Sequence, residues 1–177
     1  ASCRLVHYSS DYVYPGTGTE PWTENSPTGP LNTYGRTKLA GDEAVMSSGA
    51  DYLIFRTSWV YSARGNNFMK TMLRLAQSRS ELSIVADQIG APTPARLIAQ
   101  ITTLGIYNRL DAGVYHLAAR GETSWHGFAR EIFRMAREAG VSLALVPDRV
   151  HPIPTRDYPT PATRPLNSRL NVARLEQ

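Results

Sequence analysis

The sequence predicts an α/β fold with a parallel sheet, and three segments carry this prediction. Residues 5–8 are β-prone and lead into a polar tip, whereas residues 33–48 have the composition of a helix that stops at a glycine. Residues 52–56 form a continuous apolar run, which is typical of a strand buried on both faces. A strand, a crossover helix and a second strand form a βαβ unit, so the two strands must be parallel.

Later segments continue the alternation of helices and strands. Apolar residues at helical spacing predict one buried face on each further helix, and short apolar runs predict strands. These elements are helices around residues 68–76, 97–104 and 125–136 and strands at residues 82–85 and 113–118. Residues 147–165 hold six prolines and are therefore predicted to be irregular and to lie over a surface.

Composition and charge place the chain among ordinary globular proteins. Its 177 residues are 42% hydrophobic and 19% charged, with a net charge of +4 and scattered arginines. This balance disfavours a nucleic-acid partner and suits a small anionic substrate such as a nucleotide diphosphate. The one cysteine, Cys3, cannot form a disulfide within the chain, so a cytoplasmic location is expected. No apolar run approaches the roughly 20 residues of a membrane helix, and no membrane partner is expected.

Tyr34 and Lys38 are the central chemical signal of the sequence. On a helix, residues four positions apart face the same way, so the phenol and the ammonium can share one pocket. A free tyrosine has a pKa of about 10, and a cation within about 4–6 Å lowers that pKa. The pair can therefore act as a general acid toward a carbonyl oxygen, with hydride supplied by a cofactor. The spacing alone is also common on helix surfaces, and its context decides between the two interpretations.

Ser10 supplies that context, because it lies at the end of the first strand of the βαβ unit. In open parallel sheets, ligands bind at the carboxyl ends of the strands. The Ser10 hydroxyl could hydrogen-bond a substrate carbonyl and Tyr34 together. Without Tyr34 and Lys38, a loop serine or a helix cap would be the simpler interpretation.

Seven segments together resemble the extended short-chain dehydrogenases that act on nucleotide sugars and, within them, the dTDP-4-dehydrorhamnose reductase family. The resemblance covers nearly the whole chain, in order and without large gaps. The segments are residues 5–14 (LVHYSSDYVY), 21–24 (PWTE), 30–43 (PLNTYGRTKLAGDE), 56–61 (RTSWVY), 65–68 (GNNF), 87–93 (DQIGAPT) and 164–170 (RPLNSRL).

The resemblance implies a role for each residue of the candidate site. Tyr34 would be the proton donor to the sugar C4 oxygen, and Lys38 would bind the nicotinamide ribose and tune Tyr34. Ser10 stands where the family usually has threonine, and would adjust the tyrosine pKa and touch the substrate. Asp11 and Tyr12 would contact the sugar.

The resemblance also implies that Trp59 stacks on the thymine base, as a flat indole can. Two simpler interpretations stay open: Trp59 could be a core aromatic residue, and Asp11 could cap a turn. His116 and His126 lie in strand and helix patterns and are expected to be structural. No cluster has metal-ligand spacing, so no metal site is expected.

One family feature, a homodimer bridged by magnesium, is in doubt for this chain. Arg96 stands where the family pattern would place one of the acidic magnesium ligands. A homodimer is still expected as one possibility, because the strand at residues 5–8 would have an unpaired edge that can pair with another chain.

The resemblance implies that the chain is N-terminally truncated by roughly the first third, which carries the glycine-rich turn for the cofactor pyrophosphate. The glycines at residues 16–18 lie in a long loop and do not qualify. The implied fold is therefore the incomplete C-terminal part of a Rossmann-type parallel sheet plus a small mixed α/β substrate-binding domain. Residues 1–58 and 91–118 would be the remnant of the dinucleotide-binding domain, and residues 59–90 and 119–177 the substrate-binding domain.

The implied reaction is the NADPH-dependent reduction of the C4 keto group of dTDP-4-dehydro-L-rhamnose to dTDP-L-rhamnose, with NADH as the alternative cofactor. The fragment alone is expected to be inactive. One alternative is a nucleotide-sugar epimerase or dehydratase, but dehydratases usually place Asp-Glu where this chain has Asp11 and Tyr12. Another is a non-catalytic binding relative, against which the intact Ser10, Tyr34 and Lys38 argue.

Overall fold

The structure is a computed structural model and describes residues 3–177. Ala1 and Ser2, with which the first predicted domain begins, lie outside the described residues. The helices are α1 (Thr33–Ser47), α2 (Phe68–Ser78), α3 (Ala95–Tyr107) and α4 (Trp125–Glu138). The strands are β1 (Leu5–Ser10), β2 (Tyr52–Thr57), β3 (Val60–Tyr61), β4 (Leu82–Val85), β5 (Ile89–Gly90), β6 (Thr93–Pro94), β7 (Gly113–His116), β8 (Thr123–Ser124) and β9 (Val150–Ile153). Short 3-10 helices span Asp11–Val13, Pro147–Arg149 and Thr155–Asp157.

The main sheet is parallel and has the strand order β1-β2-β7. Its central strand β2 is buried on both faces, with Leu53, Ile54 and Phe55 fully buried, which confirms the prediction from the apolar run. The register pairs Ser10 with Thr57, so β1 and β2 end together at one edge of the sheet. The α/β class and the parallel sheet are therefore confirmed, and this edge is where a ligand is expected.

Two apolar clusters fill the interior. One lies between the main sheet and α3 and contains Leu53, Phe55, Ile98, Tyr115 and Leu117. The other joins α2, α4 and β4 through Met72, Ala76, Leu82, Ile84, Ala129, Ile132, Phe133 and Leu145. The helix faces expected from apolar spacing therefore point inward, with one exception: Leu104, at the end of the predicted face of α3, is 52% exposed.

Residues 147–165 were expected to be irregular, and this prediction is wrong for part of the segment. Strand β9 pairs in parallel with β4, with Pro152 opposite Ile84. Proline has no backbone N–H and cannot donate a hydrogen bond to a neighbouring strand. It can occupy this two-stranded sheet because each strand has one edge with no neighbouring strand. Local composition could not reveal β9, because its partner lies more than sixty positions earlier in the chain.

Helix α1 begins in close contact with the turn that follows β1. The Asn32 side chain caps the helix by accepting a hydrogen bond from the Gly35 amide at 2.9 Å. A Cβ atom on Gly35 would lie 2.3 Å from the Tyr12 carbonyl oxygen, so only glycine permits this approach. The first turn of α1 is thereby placed at the carboxyl end of β1.

A buried ion pair fixes the far side of α1 to the sheet. Asp42 of α1 is fully buried and accepts a hydrogen bond from Arg56 Nε of β2 at 3.0 Å. His7 Nε2 of β1 lies 3.4 Å from the other oxygen of Asp42. Arg56 Nη1 also donates to the Tyr14 hydroxyl at 2.8 Å. One guanidinium thus connects α1, β2 and the loop beyond β1.

Replacing Asp42 with alanine should destabilise the protein strongly, because Arg56 would remain buried without its counter-charge. We expect a loss of about 3–5 kcal/mol in the free energy of unfolding, measured by chemical denaturation. The matched control is Glu131→Ala, which breaks an exposed ion pair with Arg134 on α4 and should change the stability far less, because solvent screens exposed charges. Equal losses in the two variants would contradict the anchoring role of Asp42.

Candidate active site

The turn at the end of β1 holds Ser10 in two hydrogen bonds. Its hydroxyl oxygen accepts from the Tyr12 amide at 3.2 Å and caps the 3-10 helix Asp11–Val13. The same hydroxyl donates to Asp11 Oδ1 at 3.0 Å. Ser10 therefore has the capping role that was one of its two interpretations, and it is nearly buried.

Asp11 is a buried carboxyl group. Its side chain is 3% exposed, and among residues 3–177 its Oδ2 atom has no hydrogen-bond partner. Burial raises the pKa of Asp11 to about 6, and the nearby hydroxyls of Ser168 and Ser10 act in the opposite direction. The carboxyl therefore takes up a proton in mildly acidic solution.

Tyr34 and Lys38 lie beside this turn. The Tyr34 side chain is exposed, and its ring meets Tyr12 edge-on with the ring centroids 5.6 Å apart. Lys38 Nζ donates to the Tyr8 carbonyl oxygen of β1 at 2.6 Å. Tyr8 and Tyr12 flank Ser10 by two positions on each side, so Tyr34 and Lys38 each contact a residue close to Ser10 in the chain.

Trp59 lies just beyond β2 and has an unusual backbone, with φ at 47°. Its indole stacks on Trp125, with the ring centroids 3.6 Å apart and the planes 11° apart. A Cβ atom on Gly90 would lie 2.7 Å from Trp59 Cε2, so Gly90 packs closely against the indole as well. A base that stacked on Trp59 would have to use the face opposite Trp125.

Two cavities open near these residues. The larger, of about 970 Å³, has Phe68, Gln88 and Trp125 in its lining. The smaller, of about 600 Å³, contains Tyr34. Arg164 lines both cavities, and its Nη1 donates to the Tyr12 hydroxyl at 3.3 Å. The guanidinium-bearing Arg164 is therefore shared by the cavity that contains Trp125 and the cavity that contains Tyr34.

Residues 1–177 match the model of one protein family, described as the RmlD substrate binding domain. The chain belongs to this family. It is 53% identical over 177 residues to proteins named dTDP-4-dehydrorhamnose reductase from Shigella flexneri and from Escherichia coli strain K12. The family that the motifs indicated is thereby confirmed. The alignments cover 98% of this chain and 58% of those relatives, so the chain spans a little over half of their length.

Solved structures agree with the assignment to the RmlD family. A dTDP-4-dehydrorhamnose reductase from Bacillus anthracis, crystallised in complex with NADP, superposes with a TM-score of 0.89 at 38% identity. The match covers 98% of this chain and 58% of that one. A dTDP-glucose 4,6-dehydratase from Streptomyces venezuelae, with NAD bound, superposes with a TM-score of 0.75 at 18% identity and shows only that the fold is shared.

The RmlD-family chain also contains a buried polar network that the sequence reasoning missed. Tyr14 and His116 Nε2 share a hydrogen bond of 2.6 Å, and His116 Nδ1 lies 3.0 Å from the Asn171 carbonyl oxygen. Because a carbonyl can only accept, Nδ1 carries the proton of the neutral ring, which leaves Nε2 as an acceptor. Nε2 then competes for the single phenolic proton of Tyr14 with the Thr23 carbonyl oxygen, which lies 3.0 Å from the hydroxyl. Burial lowers the pKa of His116 to about 4 and raises that of Tyr14 to about 12. A charged residue, Arg56, inside an apolar strand was the signal that a buried polar partner exists.

Other residues near the candidate site were also missed. Trp125 was assigned to the apolar face of a helix, yet it lines the larger cavity and its Nε1 donates to Gln88 at 3.0 Å. Arg164 was noted only as part of a motif. Among residues 3–177, no three His, Cys, Asp or Glu side chains lie together in a way that could hold a metal ion. No helix in this described part is both long and apolar enough to cross a bilayer.

The neutral state of His116 makes folding sensitive to acid. The unfolded chain binds a proton at the ordinary histidine pKa of 6.5, whereas the folded protein binds it only near pH 4. Stability from this residue is therefore complete above the unfolded pKa and is lost as the pH falls, by about 3 kcal/mol in total.

The test is chemical denaturation at several pH values for the parent protein and for His116→Gln, in which an amide oxygen can still accept from Tyr14. We expect the stability of the parent to fall more steeply than that of the variant as the pH is lowered below 6.5. Asp11 contributes with the opposite sign, but equally in both proteins. Parallel stability curves would contradict the neutral, buried His116.

Proposed function

We propose that a protein carrying this chain reduces the C4 keto group of dTDP-4-dehydro-L-rhamnose to dTDP-L-rhamnose with a nicotinamide cofactor. The observation that carries the proposal is the grouping of Ser10, Tyr34 and Lys38 at the carboxyl end of β1. It is supported by the 53% identity to proteins named dTDP-4-dehydrorhamnose reductase. Because the chain spans 58% of their length, the proposal concerns the whole protein.

In this proposal, the chain supplies the proton and positions the ketone. Tyr34 gives its phenolic proton to the C4 oxygen, and its exposed hydroxyl is accessible to a substrate. Lys38 holds the ribose of the cofactor and favours the phenolate that remains on Tyr34. Ser10 hydrogen-bonds the same oxygen. The cofactor, when bound, supplies the hydride to the carbonyl carbon.

The cofactor is proposed to be NADPH, with NADH as the alternative. The Bacillus anthracis relative, whose structure is a complex with NADP, supports a nicotinamide cofactor. We also propose a cytoplasmic location, supported by the single cysteine, and a homodimer that needs no bridging magnesium, since Arg96 is a cation.

The two cavities suggest how a nucleotide sugar would lie. We place the nucleoside in the larger cavity, near the indoles of Trp59 and Trp125, and the sugar in the smaller cavity beside Tyr34 and Tyr12. The diphosphate would then pass Arg164, whose guanidinium suits a phosphate geometrically and electrostatically. Asp11 is proposed to act on the sugar side of this site.

We propose the division of the chain into two structural parts at the expected boundaries. Residues 1–58 and 91–118 would belong with the dinucleotide-binding domain, and residues 59–90 and 119–177 would form the substrate-binding domain. The division is supported by the two separate apolar clusters, one under the main sheet and one between α2, α4 and β4.

The proposed reaction is tested by following NADPH absorbance with dTDP-4-dehydro-L-rhamnose, using the complete protein that carries this chain with its cofactor-binding segment. Tyr34→Phe should lower kcat at least about 100-fold, because the proton donor is lost. The matched control is Tyr107→Phe, a tyrosine 83% exposed at the end of α3, which should leave kcat unchanged. Full activity in Tyr34→Phe would overturn the mechanism.

The proposed diphosphate contact is tested with Arg164→Gln. Loss of a hydrogen-bonded charge should raise KM about 10- to 100-fold and change kcat much less, because ground state and transition state both use the contact. Arg130→Gln is the control, since Arg130 is an exposed arginine of α4 that lines neither of these two cavities, and its KM should be unchanged. An unchanged KM in Arg164→Gln would place the diphosphate elsewhere.

A further inference from the structure

The hydroxyl of Ser10 has one proton, and in the structure that proton points at Asp11. Ser10 donates to Asp11 Oδ1 at 3.0 Å, and its oxygen accepts from the Tyr12 amide at 3.2 Å. A serine hydroxyl is a single donor with two acceptor positions. While Asp11 is a carboxylate, it can only accept, so Ser10 has no proton left for a ketone oxygen.

The surroundings of Asp11 support its charged form poorly. Within residues 3–177, no Arg, Lys or His forms an ion pair with this buried carboxylate. The nearby charged and titratable groups are engaged otherwise. Arg164 of the C-terminal segment binds the Tyr12 hydroxyl, Tyr34 of α1 packs on the Tyr12 ring, and Lys38 of α1 binds the Tyr8 carbonyl oxygen.

We propose that Asp11 is a positioning residue whose protonation decides whether the Ser10 hydroxyl can donate to the substrate. The inference rests on the proposed reductase function. In the carboxylate form, Asp11 accepts the hydrogen bond that Ser10 can donate. The Ser10 oxygen can then only accept a hydrogen bond from the phenol of Tyr34. When Asp11 takes a proton from solvent, its own hydroxyl can donate to Ser10, and the Ser10 proton is free for the carbonyl oxygen.

The protonated form of Asp11 is then the more reactive one for reduction. As hydride reaches the carbonyl carbon, negative charge develops on the oxygen, and two donors, Tyr34 and Ser10, stabilise it better than one. The proton on Asp11 stays on Asp11 and is not transferred to the product. Because burial raises the pKa of Asp11 to about 6, the change falls within an accessible pH range.

The kinetic test is the pH profile of kcat/KM for reduction of the nucleotide-linked ketone by the complete protein with NADPH. In the parent, kcat/KM should contain a step that rises roughly tenfold or more as the pH falls through the Asp11 pKa. Other groups also titrate, so the comparison with variants isolates the step. Asp11→Asn and Ser10→Ala should lack it, and Ser10→Thr, which keeps the hydroxyl, should retain it.

A second readout does not depend on turnover. With ¹³C-labelled aspartate, the carboxyl resonance of Asp11 should titrate near pH 6 in the parent. Ser10→Ala removes the hydrogen bond that favours the carboxylate, so it should raise the pKa of Asp11, and Ser10→Thr should not. Asp157, an exposed aspartate in the same protein, serves as the internal reference.

The outcomes separate this inference from the proposed function. An active parent whose pH step persists in Asp11→Asn would overturn the positioning role and leave the reductase proposal standing. A uniform loss of kcat/KM at every pH in Asp11→Asn would show a purely structural role for Asp11. A parent that reduces no nucleotide-linked ketone would refute the proposed function, whereas an Asp11 resonance that is insensitive to Ser10→Ala would refute the hydrogen-bond coupling itself.

Discussion

The ion pair between Asp42 and Arg56 is the contact on which the arrangement of the site depends. It joins the helix that carries Tyr34 and Lys38 to the central strand of the sheet, at a point where both partners are shielded from water. Buried charges are costly unless they are paired, so this contact tolerates few alternative geometries. Because Arg56 also donates to Tyr14, the same guanidinium restrains the loop that follows the turn at Ser10.

The buried aspartates Asp42 and Asp11 have different surroundings. We therefore assign Asp42 a structural role and propose that Asp11 changes its protonation state. Asp42 faces a guanidinium on the inner side of α1. Asp11 accepts a hydrogen bond from the Ser10 hydroxyl at the end of β1 and forms no ion pair with a cation among the described residues. Without a nearby cation, burial dominates and raises the pKa of Asp11. The protein thus places its less stable charge next to the serine of the proposed catalytic group.

The shape of the site comes from segments that are distant in the sequence. Trp59 follows β2 and Trp125 begins α4, yet their rings stack at 3.6 Å beside the larger cavity. Arg164 comes from the C-terminal segment and reaches Tyr12 near the start of the chain. Tertiary packing therefore lets one residue, Arg164, line both the cavity that contains Trp125 and the cavity that contains Tyr34.

The sequence by itself determined the α/β class, the helix that carries Tyr34 and Lys38, the buried strand β2 and the family, because periodicity, apolar runs and motifs are properties of neighbouring residues. Only the tertiary structure decided that residues 150–153 form a strand, that Trp59 is covered on one face, and that Asp11 is buried without a cation. Strand pairing, stacking and desolvation depend on which distant segments meet in space. The spacing of residues along the chain does not determine these tertiary contacts. The protonation state of Asp11 depends on such contacts and therefore could not be predicted from the sequence motif.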